Sequence, residues 1–173
     1  MCSWGVNMPE KATVERAKKD KREGKAPSTQ AGEFVREEIE HIREGKHGAR
    51  SAKQAIAIGL SKARRAGVDL PPPPKGTTSE RTRRSAASAY KAGRIRSDRV
   101  SPVRSRAARR ALEEEGRTAA STTALARHAR AAAAEKTASE RSAAARKAVK
   151  TKGAAKRSAA ARKAARTRAQ NSD

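Results

Sequence analysis

The side chains best suited to chemistry in this sequence are the cations of its C-terminal half. Residues 76–173 contain 26 Lys and Arg against eight Asp and Glu, and Arg is the commoner cation. Such residues neutralise phosphates, and Arg adds a planar fork that pairs with two phosphate oxygens. We therefore predict a nucleic-acid-binding tail. The candidate phosphate-binding residues are Arg81, Arg83, Arg84, Arg94, Arg96, Arg104, Arg106, Arg109, Arg110, Arg141, Arg146, Lys147, Lys150, Lys152, Lys156, Arg157, Arg162, Lys163, Arg166 and Arg168.

Duplex DNA is the partner that this tail favours, and RNA is the alternative. Phosphate neutralisation gives affinity without sequence preference, because it acts by counterion release. Sequence-specific reading needs base contacts from an ordered element. Single strands need aromatic stacking platforms, whereas Tyr90 is the only aromatic residue after residue 75. No membrane association is expected, because the tail has Ala where an interfacial helix has Trp, Phe or Leu.

Histidine could indicate a metal site, but its spacing here does not. His41, His47 and His128 belong to no Cys/His cluster with ligand spacing, so we expect surface histidines, no metal and no cofactor. The loop Gly45–Gly48 could hold a phosphate on backbone N–H groups. It lacks the spacing of a P-loop, and an inter-helix turn is the favoured interpretation.

The acidic residues of the N-terminal half do not predict a catalytic site. Glu37, Glu38 and Glu40 are expected mostly on the polar side of one helix. Ala accounts for 39 residues of the chain and only 22 larger apolar residues remain, too few to offset the ordering entropy of 173 residues in one core. A catalytic pocket needs a rigid core behind it, so no enzyme is expected.

Apolar residues and prolines divide the chain into regions. Residues 9–70 are a predicted helical head, residues 71–76 a proline-rich spacer, and residues 77–173 the Ala/Lys/Arg-rich tail. Residues 1–8 are a leader that need not be native, because Met8 is an alternative start. No transmembrane helix or secretory signal is predicted, which favours a cytoplasmic protein located at the nucleoid.

Gly and Ser punctuation predicts three helices in the head, over residues 9–23, 28–44 and 51–66. Gly24 and Gly45 suit the left-handed position that ends a helix, and a Ser that can cap the next helix follows each of them. The first helix has almost no apolar face, so we expect it to be solvated or frayed.

The second and third helices are amphipathic and predict an antiparallel αα-hairpin. Val35, Ile39 and Ile42 recur at helical spacing on the second. The third carries a stripe of Ala52, Ile56, Leu60 and Ala63. Gly59 costs about 1 kcal/mol relative to Ala inside a helix, which predicts a close helix crossing. The core is small, so a homo-oligomer through the head, or folding on a partner, is the expected support.

The tail repeats the heptapeptide SAAARKA at residues 142–148 and 158–164. The 16-residue offset turns the copies about 160° apart on one continuous helix, and Gly153 lies between them. The repeat therefore sets charge density rather than one recognition face. Because like charges oppose compaction, we predict an all-α protein whose long tail is partly helical and largely disordered when free.

Two parts of the chain resemble known families. The segment SAKQAIAIGLSKAR at residues 51–64 resembles a family of small basic bacterial and phage proteins of unknown function, over residues 9–76. Residues 77–173 resemble bacterial linker-histone-like tails, which implies DNA association at the nucleoid. The run Ser101-Pro102-Val103-Arg104 is similar to the Ser-Pro-basic-basic turns of such tails, with Val103 where a basic residue is usual. A Ser N-cap followed by Pro is the favoured interpretation.

Together these features predict a sequence-tolerant, nucleoid-associated DNA-binding protein that acts through the phosphate contacts of its tail. Two alternatives remain open. One is an RNA- or ribosome-associated basic protein. The other is a protein-interaction head whose tail only localises it.

Overall fold

The computed structural model describes residues 9–95 and 101–170, and every regular element in those ranges is helical. In chain order the elements are α1 (Lys11–Arg22), α2 (Pro27–Arg43), α3 (Ala52–Arg65), α4 (Glu80–Arg94), α5 (Pro102–Glu113), a 3-10 turn (Thr118–Ala120), α6 (Thr122–Ala134) and α7 (Ala138–Gln170). The chain divides into two compact units, the first reaching to His128 and the second beginning at Ala129.

The first three helices lie within two residues of their expected bounds, because local signals set their ends. Gly24, Gly45 and Gly67 have φ of 70°, 78° and 87° and follow α1, α2 and α3. The Ser51 Oγ accepts a hydrogen bond of 3.2 Å from the backbone N–H of Gln54 and so caps α3. The expected cap at Ser28 is not formed, because α2 begins at Pro27 with Ala26 as its N-cap. The other ends depend on residue type, and the sequence carries them directly.

Helices α2 and α3 pack as an antiparallel pair. Ile42 near the end of α2 shares a core cluster with Ala55, and Ala31 near its start shares another with Ala63. Gly59 marks the close crossing that its position predicts, since a Cβ there would lie 2.6 Å from the Val35 Cα. The glycine therefore allows backbone-to-backbone contact that a larger residue would prevent.

The buried faces differ from the predicted apolar stripes. On α2 Phe34 and Ile42 are buried, whereas Val35 and Ile39 are only half-buried. On α3 the buried set is Ala52, Ala55, Gly59, Lys62, Ala63 and Arg64. The close crossing explains the difference, because it turns the small residues of α3 toward α2 and leaves the larger Ile and Leu at the side.

Helix α1 is packed rather than solvated or frayed. Its Thr13 is fully buried and its Ala17 is 5% exposed, within the cluster that contains Phe34. The Arg16 Nε also lies 2.6 Å from the Glu33 Oε2 of α2. Small side chains on one face allow this contact without the apolar stripe that the sequence lacks.

The first unit extends well past residue 70, where the head was expected to end. Helix α4 packs on α3, and the absent side chain of Gly93 gives room for the backbone carbonyl oxygen of Arg64. Ala86 and Ala89 are buried on α4. These alanines fall in the region predicted to be the tail, yet they are buried where α4 packs on α3. Their small side chains allow close packing. This added packing enlarges the small core of the first unit.

The end of α5 and the segment that follows it pack against the loop after α2. The backbone N–H groups of Gly48 and Ala49 donate to the carbonyl oxygens of Leu112 and Gly116, at 2.8 and 3.1 Å. The Arg43 Nε donates to the Ala120 carbonyl oxygen at 2.9 Å. The loop is thus an anchored inter-helix turn, and these N–H groups are engaged within the chain.

The proline segment is also tied to the first unit. The buried Arg64 side chain donates from Nε to the Leu70 carbonyl oxygen at 3.0 Å and from Nη2 to that of Pro71 at 3.4 Å. Burial lowers the pKa of this guanidinium. The expected free spacer therefore begins as a docked segment.

The C-terminal part is helical in the described residues, where largely disordered structure was expected. Helix α5 begins with Ser101 at its N-cap position and Pro102 in its first turn, as the favoured interpretation places them, but the Ser101 side chain makes no capping hydrogen bond. Helix α7 is interrupted at Gly153, whose φ of 65° and ψ of 166° are non-helical. Ala, Lys and Arg favour helix strongly enough to form one without a core. No helix in the described ranges has the length and apolarity to cross a bilayer.

Candidate functional site

The predicted phosphate-binding residues are distributed over three helices in the two units. Those on α4 are Arg81, Arg83, Arg84 and Arg94, and those on α5 are Arg104, Arg106, Arg109 and Arg110. Those on α7 are Arg141, Arg146, Lys147, Lys150, Lys152, Lys156, Arg157, Arg162, Lys163, Arg166 and Arg168. Arg96, and the side chains of Lys152 and Lys156, lie outside the part of the chain that the structure describes.

Three of the four predicted phosphate-binding residues of α4, Arg83, Arg84 and Arg94, are engaged within the first unit. The Arg83 guanidinium makes two hydrogen bonds to the Glu80 carboxylate, of 2.7 and 2.9 Å, which lower the pKa of Glu80. Arg84 lies 3.6 Å from the same carboxylate. Arg94 donates to the Tyr90 hydroxyl, which donates in turn to Asp69. Since local carboxylates already accompany these cations, α4 is a weaker phosphate surface than its Arg content suggests.

Helix α7 has the opposite character. Residues 141–170 contain eleven Lys and Arg and no acidic residue. Every described side chain of this helix is exposed, including Val149, which is 45% exposed. Its nine described cationic side chains are therefore exposed, although Arg141 and Arg157 also donate to backbone carbonyl oxygens of Lys136 and Gly153. An exposed cationic face without acidic residues is the arrangement that a phosphate-binding surface needs.

The two halves of α7 carry the same cation pattern. Arg146, Lys147 and Lys150 span about 100° of helix circumference before Gly153. Arg162, Lys163 and Arg166 repeat that spacing 16 residues later. We call these two sets the first and second cationic stripes of α7. The non-helical residue Gly153 separates the two stripes. The directions in which the stripes point are therefore not related by a single helix axis.

A second constellation lies in the first unit, and the sequence did not predict it. Glu37, Glu38, His47 and Lys62 are 2%, 0%, 4% and 2% exposed. The Lys62 Nζ lies 2.7 Å from the Glu38 Oε2 and 3.6 Å from the Glu37 Oε1. The expectations of a polar-side Glu37 and Glu38 and of a surface His47 are therefore wrong.

His41 borders this buried cluster. Its ring lies edge-on to that of His47 with 6.3 Å between centroids. The His41 Nε2 is 2.9 Å from the Glu10 Oε1, and this hydrogen bond lowers the pKa of Glu10. One potential ligand atom from each of Glu38, His41 and His47 lies within 4.8 Å of the others.

One sequence signal points to the cluster in retrospect. Gly59 fixes the α2–α3 crossing, and Lys62 follows it by about one helical turn, toward the face that holds Glu38. A lysine at that position must meet α2, and only an acidic partner makes its burial tolerable. The adjacent Glu37 and Glu38 supply that charge.

One family model matches part of the chain. Residues 10–75 match DUF6496, a family of unknown function. The match takes in α1 to α3 and the proline segment, and it includes the KQAIAIGLS segment of α3. No curated protein and no solved structure matches the chain.

Proposed function

We propose that this protein binds duplex DNA without sequence preference, through the phosphates and the cationic stripes of α7. The observation that carries the proposal is the acid-free run of eleven cations over residues 141–170, in which all nine described cationic side chains are exposed. Each contact releases counterions from the DNA, and each weakens affinity in added salt by a slope of about 0.9 on logarithmic axes. A location at the nucleoid follows from this function.

The shape of α7 favours duplex DNA over RNA. Its two halves are thin, alanine-rich helices, and a helix of roughly 10–12 Å diameter fits a B-DNA major groove about 12 Å wide. The corresponding groove of RNA is too deep and narrow for side chains to read. Each half of about 15 residues is roughly 22 Å long and spans some six phosphates of one strand.

The scarcity of aromatic residues argues against binding of single-stranded nucleic acid. Tyr90 is the one aromatic residue after residue 75, and its hydroxyl already joins Asp69 to Arg94. Base stacking supplies about 1–3 kcal/mol per base in proteins that bind single strands. RNA binding and a protein-binding head stay alternative predictions.

A salt-titrated binding measurement on a short duplex tests the proposal. Neutralising the first cationic stripe in the triple variant Arg146→Gln/Lys147→Gln/Lys150→Gln is expected to lower the salt slope by up to about 2.7. The matched control Lys18→Gln/Lys19→Gln/Lys21→Gln removes the same charge from the exposed face of α1. It is expected to change the slope much less, because carboxylates accompany Lys18 and Lys19.

Two outcomes would contradict this mechanism. Equal losses from both triples would mean that net charge alone attracts DNA. If the α7 triple variant leaves the salt slope of DNA binding unchanged, the DNA interface does not include the first cationic stripe. Competition by structured RNA at equal phosphate concentration distinguishes DNA binding from the RNA alternative. The RNA alternative requires the RNA to displace the duplex.

A further inference from the structure

The buried cluster of the first unit has no role in DNA binding by α7, and its chemistry is of another kind. We propose that Glu38, His41 and His47 bind one divalent transition-metal ion, with Zn²⁺ as the best fit. Two imidazoles and one carboxylate are a ligand set that zinc sites use, with a fourth position left for water or another ligand. This proposal is independent of the DNA-binding function.

The orientation of His47 leaves a nitrogen lone pair inside the cluster. Its Nδ1 lies 3.1 Å from the Gly48 carbonyl oxygen, which can only accept, so Nδ1 carries the proton. The Nε2 then faces the Glu38 Oε1 at 3.4 Å. Neither atom has a hydrogen-bond partner among the described residues. Two buried acceptors that face each other need a proton or a metal ion between them, and in the proposed zinc site the metal takes that place.

The distance between those two atoms suits a metal. Zinc–ligand distances of about 2.0–2.1 Å in a tetrahedron place neighbouring ligand atoms about 3.4 Å apart. His47 Nε2 and Glu38 Oε1 have that separation, and a ligand atom of His41 lies within 4.8 Å of both. In the proposed site the His41 ligand atom approaches the other two to complete the set of three.

His41 is oriented as metal-binding histidines are. Its Nε2 faces the Glu10 carboxylate at 2.9 Å, so that nitrogen donates and the other ring nitrogen keeps its lone pair. A carboxylate behind a ligating imidazole fixes the ring and raises its basicity. Glu10 is therefore an orienting residue, held also by Lys46 at 3.4 Å.

Lys62 orients the carboxylate ligand and leaves a charge for the metal to neutralise. Its Nζ approaches the Glu38 Oε2 at 2.7 Å, in ion-pair contact without hydrogen-bond geometry. The Oε1 remains for the metal. The Lys62 ammonium carries one positive charge, and the buried carboxylates of Glu37 and Glu38 carry two negative charges. When both imidazoles are neutral, the cluster therefore has a net charge of about −1. Burial makes such a charge costly unless a cation accompanies it.

A surface cavity of about 560 Å³ borders the cluster and is lined by His47 and by the segment that contains Glu113, Glu115 and Arg117. The cavity does not open the imidazole to solvent, because the His47 side chain is 1% exposed. A metal site requires an entry path, so an ion would enter from this cavity by a local opening of the loop.

Zinc binding by the full-length chain tests the proposal, with Cys2→Ser as background so that the single thiol cannot contribute. Equilibrium dialysis is expected to give one Zn²⁺ per chain. His41→Gln and His47→Gln should each lower affinity by at least about tenfold, as should the exposed orienting variant Glu10→Gln. His128→Gln is the matched control and should leave affinity within about twofold of the background. The proposal is overturned if no stoichiometric zinc binds, or if His128→Gln matches the loss of the other two histidine variants.

Nuclear magnetic resonance of the protein without substitutions in the cluster keeps the proposal testable if His47→Gln fails to fold. Zinc added to untagged protein carrying ¹⁵N-labelled histidine should shift the ring signals of two of the three histidines, with the His128 signal assigned from its variant and unmoved. Shifts at His128 alone, or at none of the three, would contradict the site. Cobalt in place of zinc should give the intense visible absorption of a four-coordinate ion, which a purely octahedral surface site lacks.

Discussion

The two compact units use the same charged residue types in opposite ways. In the first unit Lys62 is 2% exposed and lies 2.7 Å from a Glu38 oxygen. In the second, residues 141–170 carry eleven cations, no acidic residue and only exposed described side chains. A buried ion needs a partner ion, whereas an exposed cation is solvated and remains available to phosphate. Burial, rather than charge count, therefore assigns a role to each cation.

The largest effect is expected where a buried charge loses its partner. Lys62→Met should lower the free energy of unfolding of the first unit by about 3–5 kcal/mol, because Glu37 and Glu38 would stay buried without their ammonium. Urea unfolding followed by circular dichroism measures this loss. The control Lys150→Met on α7 should change stability by less than about 0.5 kcal/mol. Similar losses from both variants would remove the distinction between the units.

An intermediate effect is expected at the helix crossing. Gly59→Ala should destabilise the first unit by roughly 1–3 kcal/mol, because its Cβ would lie 2.6 Å from the Val35 Cα and force the helices apart. Gly32→Ala is the matched control, since Gly32 is exposed on α2 and an added Cβ would have no neighbour within 4 Å. That control should stabilise by up to about 1 kcal/mol. Stabilisation by both alanines in the same urea titration would contradict the close crossing.

The smallest effect on stability is expected in the second unit. Gly153→Ala should increase far-ultraviolet helicity, because Ala disfavours φ of 65° and gains about 1 kcal/mol in helix. The two cationic stripes would then lie about 160° apart on one axis. Only one could face a duplex, so the salt slope of DNA binding should fall by about half. An unchanged slope would mean that the break has no part in binding.

Features that depend on one residue and its chain neighbours were predictable. Gly24, Gly45 and Ser51 define helix ends through backbone conformation and capping, and the ends of α1 to α3 follow. The crossing at Gly59 was also predictable, because a mid-helix glycine costs stability unless close packing compensates.

Features that depend on which faces meet were not predictable. Glu38 and Lys62 are polar residues within amphipathic helices, and hydropathy alone assigns them to solvent. The packing of α4 on α3 was missed for a related reason. Buried alanines such as Ala86 and Ala89 have the same composition as the exposed alanines of α7, and only contact distinguishes them.

The sequence by itself determined the helical character of this chain, its helix ends in the first 66 residues, and the concentration of cations in an acid-free stretch near its C-terminus. Those properties follow from propensity, capping and charge, which act locally along the chain. The tertiary structure alone decided that α4 and the 3-10 turn complete the first unit, and that Glu38, His41 and His47 converge. Such convergence depends on a helix crossing between distant segments, and no local spacing encodes it.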